Sequence, residues 1–163
     1  MESTFFLDNQ SFEIVLKLLT ALFLGMSLGI ERAIAGKTAG MRTYGLVTMG
    51  SALFVIIGVL ATGGYQVGNS VFTDSSARIT AAIIQGIGFI GAGLIFFKGT
   101  KVSGITTAAG VWIAAGVGAA IGYGFYSLAT ITTLLALFAF TGLWYVENKV
   151  KVFARSLGND NND

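Results

Sequence analysis

The sequence predicts an all-α integral membrane protein, a glycine-rich bundle of five transmembrane helices. Three observations point there. Charged residues fill 11% of the 163 positions and hydrophobic residues 54%, whereas an average soluble domain carries about 25% charge. The 45 residues from Val102 to Val146 contain no charge at all. The chain has 23 glycines and no proline, so glycine must supply both helix breaks and small contact surfaces. Mean hydropathy is +0.77. The absence of Cys and His excludes a disulfide framework, a zinc finger, a His-based triad, haem and iron–sulfur sites. Any chemistry must use carboxylates, Lys, Arg, hydroxyls or backbone. No catalytic set, cofactor or metal site is expected.

Each element follows from the charge-free runs. A hydrocarbon core of about 30 Å needs roughly 20 apolar residues per helix. The run from Val102 to Val146 therefore suits two helices, with the break at Gly122-Tyr123-Gly124. The run from Thr43 to Thr73 holds one span and a Gly- and Asn-bearing loop, and Ile79 to Phe97 holds another. The first hydrophobic segment includes Lys17, placed to snorkel from near one end. The expected spans are 13–30, 44–61, 78–97, 104–122 and 125–146. The segment 1–11 starts acidic rather than basic, so the first span reads as retained and not as a cleaved signal. Residues 12–147 form the membrane domain, and 148–163 form a basic, then polar, partly disordered tail.

Orientation follows from the basic residues. One side holds Arg32, Lys37, Arg42, Lys98, Lys101, Lys149, Lys151 and Arg155; the other holds Lys17 and Arg78. The N-terminus is thus expected outside and the C-terminus in the cytoplasm of a bacterial inner membrane. The pI near 9.0 then reflects this bias and needs no nucleic-acid partner; the partner is the lipid bilayer. Phe5, Phe6, Phe12, Tyr44, Phe72, Tyr123, Tyr126, Trp144 and Tyr145 stand near span ends, as in an aromatic belt. Trp112 falls mid-span and is expected inside the bundle.

Gly25 with Gly29, and Gly118 with Gly122, form small-xxx-small pairs, and span 3 carries Gly86, Gly88, Gly91 and Gly93. Close backbone approach through small residues drives helix association in lipid. These faces either close one bundle or join a homodimer. The span 3 string also matches G-x-G-x-x-G, but no βαβ pattern surrounds it, so a dinucleotide site is rejected. At an offset of 64, Gly29, Lys37, Gly40, Thr43 and Val47 map onto Gly93, Lys101, Gly104, Thr107 and Val111. This is compatible with two parallel helix-hairpin repeats.

The candidate polar site has two parts. Glu31 and Arg32 close span 1, Arg42 and Thr43 open span 2, and Thr106 and Thr107 open span 4. They are either separate boundary groups or one polar cluster between hairpins, with Glu31 paired to an Arg. On the opposite side, Asp74, Arg78 and Gln85 share roughly one helix face. Asp74 reads as a helix N-cap and Arg78 as a headgroup anchor. Alternatively, Arg78 and Gln85 face an internal pocket.

Several stretches, in order and with matching spacing, resemble the MgtC/SapB family from about residue 12 to 126. They are Gly29-Ile30-Glu31-Arg32, Gly40-Met41-Arg42-Thr43, Asp74 with Arg78, Gly86 to Gly93, and Gly104-Ile105-Thr106-Thr107-Ala108-Ala109. The resemblance implies an inner-membrane protein linked to magnesium limitation and, in pathogens, to survival in host cells. Its implied role is regulatory rather than a proven transport role, and some members are linked to restraint of the ATP synthase or to sensor kinases. A small ion or solute transporter is the alternative. Many members have His where this chain has Tyr44, and Pro where it has Ser75. Longer members add a cytoplasmic C-terminal domain.

Overall fold

A computed structural model describes the backbone of residues 9–62, 65–66, 69–70 and 74–159, and the side chains of residues 9–62 and 76–150. The expectations for Phe5, Phe6 and Phe72, for the Asp74 side chain and for residues 160–163 fall outside the described parts. Five helices appear: α1 (Asn9–Ile34), α2 (Met41–Ala61), α3 (Asp74–Gly93), α4 (Ile105–Gly122) and α5 (Tyr126–Asn159). Two short antiparallel hairpins join them: β1 (Tyr65–Gln66) with β2 (Asn69–Ser70), and β3 (Phe96–Lys98) with β4 (Lys101–Ser103). The predicted all-α membrane bundle is thus observed, with α1, α2, α4 and α5 long and apolar enough to cross a bilayer. The 20 residues of α3 also give it a length of about 30 Å. Arg78, Gln85 and four glycines lie along it.

Glycine ends the helices as expected. After α1, Gly36 adopts φ 65, its N–H donates to Ala33 O at 3.1 Å, and Lys37 N–H donates to Arg32 O at 3.0 Å. After α4, Gly124 adopts φ 86, with Gly124 N–H to Ile121 O at 2.9 Å and Phe125 N–H to Ala120 O at 2.8 Å. Both are Schellman caps, which satisfy terminal carbonyls through a left-handed residue. The third span differs from expectation. Helix α3 stops at Gly93, and residues 96–103 fold back as the β3–β4 hairpin. Gly99 at φ 65 and Thr100 without positive φ show the pattern of a type II′ turn. At the other end of the chain, α5 runs 34 residues as one helix to Asn159, through most of the 148–163 segment expected to be partly disordered.

Helix α4 lies at the centre and α2 packs along it, with α1 and α3 on either side and α5 against α4 and α1. The contact seam is built on glycine. A Cβ on Gly25 would strike the Thr48 side chain, one on Gly29 the Met41 backbone, one on Gly118 the Thr48 carbonyl, and one on Gly122 the Val55 side chain. Thr48 and Val55 are fully buried, one helix turn and three turns beyond Tyr44 on the same face. These two small-xxx-small pairs are therefore occupied within the chain. Gly91 only touches Ala108, and Gly86, Gly88 and Gly93 have open space where a Cβ would stand. Helices α2 and α4 begin 64 residues apart, each behind a glycine N-cap, but Gly40 is extended (φ −113) while Gly104 is left-handed (φ 91).

Four side-chain placements correct the sequence reading. Lys17 does not snorkel outward; it is 2% exposed inside the bundle. Tyr44 and Tyr123 do not sit in a lipid-facing belt; both are buried. Trp112 is half exposed on the outer face of α4 rather than packed inside, because the inner face is taken by Gly110, Val111, Ala114 and Ala115.

The glycine seam makes a signed prediction for one substitution at two positions. Gly118→Ala is expected to destabilise the bundle by about 1–3 kcal/mol through overpacking. Gly88→Ala is expected to be neutral or stabilising by about 0.5–1 kcal/mol through helix propensity. Thermal unfolding of the two variants in detergent compares them directly.

Candidate functional site

Polar groups gather at the two ends of the bundle. At the end where α1 and α3 finish and α2 and α4 begin, Arg32 is 3% exposed and contacts the Glu31 carboxylate through Nε. Its guanidinium carbon lies 3.9 Å from the centre of the Phe140 ring on α5. A desolvated cation over an aromatic face is worth about 2 kcal/mol. Glu31 and Arg32 line a cavity of about 1090 Å³ between α1 and α5, together with Thr106, Trp144, Glu147 and Asn148. Beside it, Lys37, Thr38, Lys98, Ser103, Thr106 and Thr107 line a smaller pocket of about 490 Å³. Lys37 and Thr106 belong to both. Behind this pocket the Tyr44 hydroxyl donates to the Thr107 carbonyl at 3.2 Å, fastening α2 to the first turn of α4.

At the opposite end, Lys17 Nζ lies 3.2 Å from Glu13 Oε1 and donates to the Gly122 carbonyl at 3.3 Å. That carbonyl ends α4, where the helix dipole is negative and the last carbonyls lack intrahelical donors. An ammonium there is doubly favourable. Glu13 Oε2 is buried without a hydrogen-bond partner among the described residues. Tyr123, just after α4, donates its hydroxyl to Ser76 O at 2.6 Å and stands 2.9 Å from Thr80 Oγ1, fastening α4 to α3.

The structure thus brings Glu31, Arg32, Thr106 and Thr107 to one end. Arg42 is exposed and Thr43 half-buried at the start of α2, and neither lines the two cavities. Arg78 and Gln85 are exposed on α3, Gln85 on the face turned from α2 and α4. Asp74 is the first residue of α3, far from Glu31. The sequence reading missed Glu13 with Lys17, Lys37, Lys98 and Phe140. The Glu13–Lys17 spacing of four, acid first, was the available signal. Lys37 and Lys98 carried none, because their approach depends on how the α1–α2 loop and the β3–β4 hairpin meet.

Comparison with known proteins decides the family. The MgtC family matches residues 18–149. The chain belongs to the MgtC family. It is 39% identical over 136 residues to the "Putative magnesium transporter YhiD" of Escherichia coli K12, covering 82% of this chain and 63% of that protein. It is 40% identical over 136 residues to "Protein SrpB" of Synechococcus elongatus, covering 77% of this chain and 72% of that protein. It is 38% identical over 128 residues to "Protein MgtC" of Salmonella typhimurium, covering 78% of this chain and 51% of that protein. The aligned segment thus spans about half to two-thirds of the length of several of these MgtC-family relatives. No solved structure matches.

The Glu13–Lys17 pair is expected to behave as a unit. Glu13→Leu leaves a buried ammonium without its carboxylate and should cost about 3–5 kcal/mol. Lys17→Met should cost less, because Glu13 is 21% exposed. The double variant should recover much of the loss. A double-mutant cycle on unfolding in detergent checks the coupling.

Proposed function

We propose that this MgtC-family chain is a regulator in the bacterial inner membrane, acting in adaptation to magnesium limitation by binding other membrane proteins. The supporting observation is the outer face of α3. Ala81, Gln85, Gly88 and Ala92 are all exposed and recur at i, i+4, i+7 and i+11, on one side of the helix. Gly88 has open space around it. Small residues let helix backbones meet in lipid, and an amide in hydrocarbon calls for an interhelical partner. Gln85 has no hydrogen bond among the described residues, so a second helix is the natural source of one. By family resemblance the ATP synthase and sensor kinases are the first partners to test, and a second copy of the chain is the control.

The basic end is placed in the cytoplasm under this reading, because short loops rich in Lys and Arg stay inside. The α1–α2 loop, the β3–β4 hairpin and the end of α5 then face the cytoplasm, with the N-terminus outside. A second reading, an ion or small-solute transporter, draws on the cavity that holds Glu31, Arg32 and Glu147 and on the name of the Escherichia coli relative. Flux of Mg²⁺, K⁺ or H⁺ into liposomes that Glu31→Ala abolishes would favour it over regulation.

Two outcomes test the proposal. Since the chain has no cysteine, single cysteines report orientation cleanly. Thr62→Cys should react with a membrane-impermeant maleimide in spheroplasts, and Thr100→Cys only after lysis. Gln85→Leu should leave stability unchanged and lower recovery of a co-purified partner about fivefold, the worth of one interhelical hydrogen bond. Unchanged recovery, with an unchanged growth response to low magnesium, would sink the α3 face as the docking surface.

A further inference from the structure

We propose that the smaller pocket at the basic end is a phosphate-binding site. Three elements meet there. The α1–α2 loop brings Lys37 and Thr38, the β3–β4 hairpin brings Lys98 and Ser103, and the start of α4 brings Thr106 and Thr107. No Asp or Glu lines it, so the field inside has one sign.

The hairpin points to an anion. In its register Lys98 pairs directly with Lys101 across the turn, and Phe96 with Ser103. Side chains alternate along a strand, so these four share one face; Phe96, Lys98 and Ser103 line the pocket, as does Val102 of the other face. Like charges directly opposite each other destabilise a hairpin. Lys101 itself does not line the pocket, but an anion held there by Lys98 and Lys37 offsets the repulsion on Lys98. No carboxylate on the hairpin does so.

The first turn of α4 points the same way. Its N-cap, Gly104, is left-handed and makes no side-chain capping bond. The opening N–H groups of a helix lack intrahelical acceptors and carry partial positive charge, an arrangement suited to phosphate. The independent observation is Thr107. It is 3% exposed and lines the pocket. Its carbonyl accepts from Tyr44, but its hydroxyl has no partner among the described residues. The Thr107 side chain is otherwise buried, and its hydroxyl oxygen opens on the pocket, where a ligand oxygen can accept its hydrogen bond. Ammonium groups, hydroxyls and backbone N–H groups converging on one volume suit a tetrahedral anion with several acceptor oxygens.

Two sources carry that chemistry: the headgroup of an anionic phospholipid, and a soluble phosphate or phosphate ester. The full chain in maltoside micelles, which hold no phosphate, separates them. Inorganic phosphate is titrated by calorimetry in one arm. In the other, phosphatidylglycerol is added and its retention is read by native mass spectrometry, with and without competing phosphate. Saturable binding in either arm supports the site, provided Lys98→Gln weakens it about tenfold and Thr107→Val several-fold, while Arg78→Gln at the opposite end has no effect. Binding of inorganic phosphate alone assigns a soluble ligand. Retention of phosphatidylglycerol that phosphate does not displace assigns the lipid. Thr107→Val keeps the shape of the side chain, so its fold is checked by an unchanged melting temperature. Binding equal in the wild type, Lys98→Gln and Thr107→Val, or no binding in either arm, overturns the proposal.

Discussion

The structure depends on the close approach of three helix backbones around Thr48. Gly25 of α1 and Gly118 of α4 meet this residue from two sides, and Thr48 returns its hydroxyl to the Tyr44 carbonyl of its own helix at 2.9 Å. No larger residue fits at either glycine. In lipid, where apolar side chains gain nothing by leaving acyl tails for one another, this fit is the principal source of association. It sets the depth at which α2 enters the groove between α1 and α4. Tyr44 then reaches Thr107 and Val55 lies on Gly122.

Both ends of the bundle are fastened in consequence. Lys17 closes on the last carbonyl of α4 while Tyr123 closes on the first turn of α3. At the other end Tyr44 and Arg32 bind α4 and α5. Charged groups within a membrane are retained only when something satisfies them. Here the bundle itself satisfies Lys17 and Arg32. The groups left over are of a different kind: the Thr107 hydroxyl, the Lys37 and Lys98 ammonium groups, and the Gln85 amide. On the two proposals above, they are the groups that a partner or ligand would satisfy. Three stand at the basic end and the fourth on the outer face of α3.

Helices α2, α4 and α5 were legible because each holds a long charge-free run, and α1 because Lys17 is the single charge between Ile14 and Ile30; hydropathy is a property of composition. The Gly124 break was legible because a left-handed residue after a helix is nearly always glycine. The β3–β4 hairpin was not. Phe96, Phe97 and Val102 suit a lipid-facing helix as well as a strand, and only the turn at Gly99 with the end of α3 at Gly93 chooses between them. Within the candidate site, Glu31, Arg32, Thr106 and Thr107 could be named from their positions at span ends. Their meeting in one cavity wall is a tertiary fact, whereas the separation of Asp74, Arg78 and Gln85 from them already followed from the order of the spans.

By itself the sequence determined the membrane class, the helix order, the sorting of basic residues to one end and the family resemblance. All of these are read from composition, spacing and motif along one dimension. Which glycines are buried was decided by tertiary structure alone. Gly118 and Gly88 are alike in the sequence, but α2 covers the first and nothing covers the second. The same holds for charge: Lys17 and Arg78 both stand near a span end, and only packing buries Lys17 and leaves Arg78 exposed. The physical reason is rotational. A uniformly apolar helix such as α4 carries little periodic signal to say which side faces inward, so neighbouring helices decide it through the depth of their contacts.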